Sequence, residues 1–210
     1  MTEMLTVPTW QLSHGQAAWV IAHGRNPPRR VLDQLRYLRQ LGVPFTEAER
    51  QPGRGNRVFY RYEEVVEMAV AIFAIRHGMR PGEAADFLTQ NREDCRKLFR
   101  GALEQLPAAA LDASWIKSQG REIPIMANEL FLRLHDRYSE RPGAYETIMV
   151  GEGAGADSEQ SDSVTGIETL LGLAERYPGG ESRILVPLTR IALEVAGLAR
   201  EVPEIRPGRS

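Results

Sequence analysis

The sequence predicts a mainly α fold, with a two-strand hairpin set among its N-terminal helices. Three observations predict it. Apolar residues recur at helical spacing in several segments, Gly and Pro punctuate those segments, and one Gly-rich turn is flanked by β-branched and aromatic residues. A chain of 210 residues suits a small domain followed by a second helical one. Its 42% hydrophobic content is enough for a buried core.

Each element has a local reason. Residues 1–12 read as an arm carrying Pro8 and Trp10. Ser13 is suited to cap a first short helix, which Gly24 ends, with Ala17, Val20 and Ile21 at near-helical spacing. Asn26-Pro27-Pro28 breaks the chain, and Pro28 fits the first turn of the next helix. That second helix runs from about Arg29 to Leu41. Val31, Leu32, Leu35, Leu38 and Leu41 form its apolar stripe, while Arg29, Arg30, Arg36, Tyr37 and Arg39 occupy its other faces. The turn Gln51-Pro52-Gly53-Arg54-Gly55-Asn56 sits between Val43-Pro44-Phe45 and Val58-Phe59-Tyr60, which predicts a short hairpin. Arg54, Arg57 and Arg61 lie on its loop and base.

A third helix is expected from Tyr62 to Gly78, with Glu63 and Glu64 near its N-terminus. A fourth follows Pro81 and either continues or restarts at Asn91, through Leu98, Phe99, Ala102, Leu103 and Leu106. Residues 123–138, 166–177 and 183–200 also read as helical, and 151–163 as a flexible acidic loop. The division expected is therefore 1–90 and a helical region at 91–210.

Charge is uneven along this chain. The total is −2, yet residues 24–61 hold nine arginines against three acids, a surplus of six positive charges. The basic segment, not the total, indicates a polyanionic partner. Cys95 stands alone, so no disulfide or cysteine-based zinc site forms within one chain, and it reads as a small hydrophobe. The four histidines are scattered without ligand spacing. No metal or cofactor is expected. The segment 184–199 is interrupted by Pro187, Arg190 and Glu194, which argues against a membrane span, and the chain reads as cytoplasmic. Gly151-Glu152-Gly153-Ala154-Gly155 superficially matches a dinucleotide loop but has no evident strand before it or helix after it. A catalytic role is not expected.

A helix, a turn, a basic helix and an arginine-bearing hairpin form the layout of a winged helix-turn-helix. In that layout one helix enters the major groove and the wing lies over the flanking backbone or minor groove. The candidate DNA-contacting residues are Arg29, Arg30, Arg36, Tyr37, Arg39, Arg54, Arg57, Tyr60 and Arg61. Three segments, in order, resemble the MerR family of bacterial transcription regulators over about residues 12–90. They are Leu35-Arg36-Tyr37-Leu38-Arg39-Gln40-Leu41-Gly42-Val43, Arg57-Val58-Phe59-Tyr60-Arg61-Tyr62-Glu63-Glu64-Val65, and the run from Ile72 to Leu88 containing Leu88, Arg76, Gly78 and Glu83.

The resemblance implies that Arg36 and Tyr37 approach DNA, that Tyr60 matches a wing tyrosine, and that Arg57 lies one place from a wing arginine. It also implies a homodimer on double-stranded DNA. Leu98, Phe99, Ala102, Leu103 and Leu106, or the helix at Ile184–Leu198, are candidate dimer seams that could equally be intrachain core. The chain departs from the family in the inserted Asn26-Pro27-Pro28, in Asp33, and in lacking effector-binding cysteines. The function expected is sequence-specific transcription regulation. Alternatives are an architectural, excisionase-like or plasmid-maintenance factor, and an adaptor that binds protein through the same fold.

Overall fold

Local capping decides where the N-terminal helices begin and stop. The structure, a computed structural model, describes residues 3–46, 49, 58–111, 128–135, 145–151, 161–164 and 183–203. Helix α1 spans His14–Ile21. The Ser13 amide donates to Gln16 Oε1 at 2.9 Å, and the Gln16 amide donates back to Ser13 Oγ at 3.4 Å. This reciprocal pair satisfies two orphan donors of the first turn. At the other end His23 takes the left-handed conformation, φ +57°, with Gly24 following at φ +70°. The Gly24 amide then reaches back to the Trp19 carbonyl at 3.1 Å. The left-handed turn therefore begins on His23 and continues through Gly24, the glycine expected to end the helix.

Helix α2 spans Arg29–Gln40. Pro28 is its N-cap, one place earlier than the first-turn position expected, and it supplies no side-chain cap. Gly42, at φ +98°, ends α2. The Val43 amide donates to the Leu38 carbonyl at 3.0 Å and the Gly42 amide to the Arg39 carbonyl at 3.2 Å. That is a Schellman closure, in which a residue without Cβ carries the left-handed turn at no steric cost. Helix α3 spans Tyr62–Arg76, helix α4 Pro81–Gln90 and helix α5 Arg92–Glu104. Asn91 separates α4 from α5, so the helix restarts there.

The expected hairpin pairs differently. Strand β1 is Leu12–Ser13 and strand β2 is Phe59–Tyr60, joined antiparallel with Leu12 opposite Tyr60 and Ser13 opposite Phe59. Residues 43–45 are not the partner strand. Their backbone is engaged elsewhere: Val43 closes α2, Pro44 has no amide to donate, and the Pro44 carbonyl accepts from Arg96 Nη2 at 2.9 Å. Phe45 instead stacks on Tyr60, ring centroids 5.3 Å apart. The turn at 51–57 lies outside the described residues. Residues 3–12, read as an arm, are tied down before β1. Leu5 is buried, its amide donates to the Leu106 carbonyl, and the Ala108 amide donates to the Glu3 carbonyl, both at 2.8 Å.

The C-terminal region corrects the all-helical expectation. Strands β3 (Asn128–His135), β4 (Tyr145–Gly151), β5 (Ser161–Val164) and β6 (Arg183–Pro187) form one sheet in the order β5-β4-β3-β6. Strand β3 is antiparallel to both neighbours, and β4 runs parallel to β5. Leu130, Leu132 and Leu134 alternate with Phe131 and Arg133, the period of two that a strand requires. The helix expected across 183–200 is strand until Pro187, and helix α6 covers Leu188–Arg200. Residues 161–163, assigned to the acidic loop, belong to β5. Gly151 ends β4, so the glycine-rich run does follow a strand. Residues 152–160 and the helix expected at 166–177 lie outside the described residues.

One buried apolar cluster extends from Leu5 to Leu198. Helix α3 is its centre, burying Tyr62, Val65, Val66, Met68, Val70, Ala71, Ile72 and Ala74. Helix α6 packs against α1, α3 and α5. Both candidate dimer seams are thereby used within the chain: Phe99, Ala102 and Leu103 have no exposed surface, and Leu106 and most of α6 are buried. Among the described residues no helix is long and apolar enough to cross a membrane.

Packing of α6 on the N-terminal helices predicts that a core truncation there is felt globally. Leu193→Ala removes a side chain 1% exposed and should cost about 2–5 kcal/mol. Urea unfolding followed by circular dichroism measures this. A cost within experimental error of zero would contradict the packing.

Candidate nucleic-acid interface

The basic surface is built on α2. Val31, Leu35 and Leu38 are buried and seat the helix on the core. Arg29, Arg30 and Arg36 are exposed on the opposite side, Tyr37 is 47% exposed, and Arg39 is half-buried. The 3.6-residue period puts positions 29, 33, 36, 37 and 40 on one outer face. Asp33 stands among the cations, 3.7 Å from Arg29 Nε and 3.2 Å from Arg36 Nη1. Exposed pairs of this kind are worth about 0–1 kcal/mol, so they yield readily to a phosphate.

The start of α2 breaks a local rule. Arg29 and Arg30 occupy the first two helical positions, where the dipole favours anions and no side chain caps the amides. Two cations beside uncapped amides make a strongly electropositive helix end, the arrangement that suits a phosphate.

The far end of α2 sits beside the β1–β2 pair. His14 Nδ1 and Tyr60 Oη are 3.2 Å apart. Burial, followed by the charges of Arg39 and Arg36, holds the His14 pKa below its usual value. Burial raises the Tyr60 phenol, with Arg39 opposing and Glu64 assisting. Tyr60 has no exposed surface, so its ring packs beneath this basic face and is not itself presented on it. Arg61 is exposed just after β2, and its amide donates to Glu64 Oε2 at 2.6 Å at the start of α3. Phe59 is 48% exposed on the same short strand. Arg54 and Arg57 lie outside the described residues. Of the nine candidates, the fold thus presents Arg29, Arg30, Arg36, Tyr37 and Arg39 on α2 and Arg61 beyond β2.

The sequence reading missed the carboxylate behind this surface. Glu67, in the middle of α3, has no exposed surface and is held by Arg92 and Arg96 of α5. A lone acid inside the apolar run Val65 to Ala71, with two arginines four apart on a later helix, was the available signal. Burial pushes the Glu67 carboxyl up to about 7, while the two guanidinium groups pull it down. Cys95 is buried and its thiol is pushed up to about 12, chiefly by burial, which leaves it unreactive at neutral pH.

No protein-family model matches the chain, and no curated protein is a significant relative. The likeness to MerR regulators therefore rests on the three quoted segments alone.

His14 gives a signed pH prediction. Its folded-state pKa is depressed, so its contribution to stability is present above the unfolded value and is lost as pH falls through the folded value. Between pH 7.5 and pH 5 the native chain should therefore lose more stability than His14→Gln, measured as the difference in urea midpoints. Parallel curves for the two proteins would contradict this assignment.

Proposed function

We propose that the chain is a sequence-specific DNA-binding transcription regulator that lays α2 in the major groove. The observation that carries this reading is the outer face of α2. Four arginines stand on a helix whose inner face is locked into the core, and two of them occupy the helix end where cations cost stability. A local rule broken without a structural return is characteristic of functional sites. Arginine suits both halves of the task, pairing with phosphate and with the guanine edge. Arg61 extends the charge toward the segment that carries Arg54 and Arg57, the wing in this reading. Regulation of transcription follows from the MerR-like order of segments.

A second reading, an adaptor that binds protein, is favoured by the exposed Tyr37 and Phe59. Salt separates the two. Neutralised phosphates make affinity fall steeply as salt rises, whereas an interface built on aromatic side chains does not respond in that way.

Charge-changing variants on α2 test the proposal. Arg36→Ala and Arg30→Glu should weaken duplex binding, and Arg36→Ala should reduce the salt slope by about 1 if it meets a phosphate. Arg30→Glu should at the same time leave the fold as stable or stabilise it by about 0.3–1 kcal/mol, because an acid replaces a cation in the first turn. Asp33→Asn should tighten binding several-fold by releasing Arg29 and Arg36. Titration of a labelled duplex by fluorescence anisotropy measures these effects. Unchanged affinity in all three variants would refute a DNA-facing α2.

A further inference from the structure

We infer that Glu67, Arg92 and Arg96 are positioning residues that fix how α2 presents its arginines. This rests on the DNA-binding reading of α2. Glu67 Oε1 accepts from Arg92 Nε at 3.1 Å, and Glu67 Oε2 accepts from Arg96 Nε at 3.3 Å. The Nη2 atoms of both guanidinium groups also reach main chain, that of Arg92 while lying 3.1 Å from Glu67 Oε1. Arg92 Nη2 donates to the Gly42 carbonyl, and Arg96 Nη2 donates to the Pro44 carbonyl at 2.9 Å. Gly42 and Pro44 lie two and four residues beyond the end of α2. Each arginine therefore spans from a buried carboxylate on α3 to the strand of backbone that leaves the reading helix. The side chains of Arg92 and Arg96 are 11% and 23% exposed.

Stability alone does not account for this cluster. A buried acid between arginines is often replaceable by apolar side chains of similar volume without loss. Apolar side chains cannot donate to the Gly42 and Pro44 carbonyls in fixed directions. Planar guanidinium groups can, because their several N–H donors, fixed in one plane, meet the carboxylate and the carbonyl together. The cluster thus fixes the exit direction of the chain from α2, and with it the seating of the helix. Helix α5 also packs against α6, so the placement of the reading surface is tied to the end of the described chain.

Charge and placement act on different quantities. Non-specific affinity follows phosphate neutralisation, whereas discrimination among sequences needs side chains held in register with base edges. Arg92→Lys and Arg96→Lys keep the charge and remove the two-sided reach. Arg100→Lys is the control, since Arg100 lies on the same helix but pairs with Glu63 at 3.6 Å and touches neither carbonyl. Lysine variants avoid the unpaired arginine charges that Glu67→Ala would leave, which are destabilising in themselves.

The test uses the full chain and two readouts. Hydrogen exchange without DNA should show the Gly42 and Val43 amides exchanging faster in both lysine variants, with α1 and α6 unchanged. Anisotropy should then compare a genomic duplex selected by the native chain with a random-sequence duplex. The specific-to-random affinity ratio should fall about tenfold in Arg92→Lys and Arg96→Lys, with an unaltered salt slope and no change in Arg100→Lys. Unchanged exchange, an unchanged ratio, or equal loss of both affinities overturns the inference while leaving the DNA reading intact. A native chain that binds no duplex at all overturns the DNA reading, and the positioning role with it.

Discussion

A carboxylate with no access to water, in the middle of the central helix α3, constrains much of this molecule. Glu67 must be matched where it lies, because an unpaired charge at that depth is strongly destabilising. Two arginines of α5 match it, and their remaining donors capture the backbone just after α2. Three segments separated in sequence are thereby joined at one point. The apolar packing around α3 supplies most of the favourable energy, and the ionic cluster supplies direction. The fold can shift its apolar side chains slightly, but it cannot rotate α2 away from α5 without breaking these bonds.

That constraint explains how a helix with so much like charge stays in place. The inner residues Val31, Leu35 and Leu38 hold α2 against the core, and the Schellman closure at Gly42 fixes its end. The outer face is then free to carry cations that do nothing for folding. Asp33 offsets part of the repulsion between Arg29 and Arg36 without burying either. Tyr60, beneath the same surface, joins β2 to His14 and Phe45. The arrangement has a rigid support and a charged exterior.

How much of this could be read in advance follows from how local each signal is. Ser13, Gly42 and Gly78 mark helix ends within a few residues, so α1, α2 and α3 were legible to within about two residues, whereas the break between α4 and α5 at Asn91 was left open. The basic face of α2 was equally plain, since its period and its arginines lie in one short stretch. Strand pairing was not, because the partner of Phe59 and Tyr60 is Leu12 and Ser13, more than forty residues earlier. The stretch at Asn128–His135 misled because leucine and phenylalanine at close spacing serve either a helix or a strand, and the alternation settles it only once a partner exists. Glu67 escaped notice because an isolated acid in a helix ordinarily faces water. Only packing against α5 reveals that it does not.

Binding to duplex DNA at two salt concentrations tests the central claim most directly. The native chain would be titrated against genomic fragments, including the region upstream of its own coding sequence. The account predicts that at least one fragment is bound in preference to random duplex, and that affinity falls steeply as salt rises from about 50 to 200 mM. Absence of binding, or binding that ignores both sequence and salt, would contradict it.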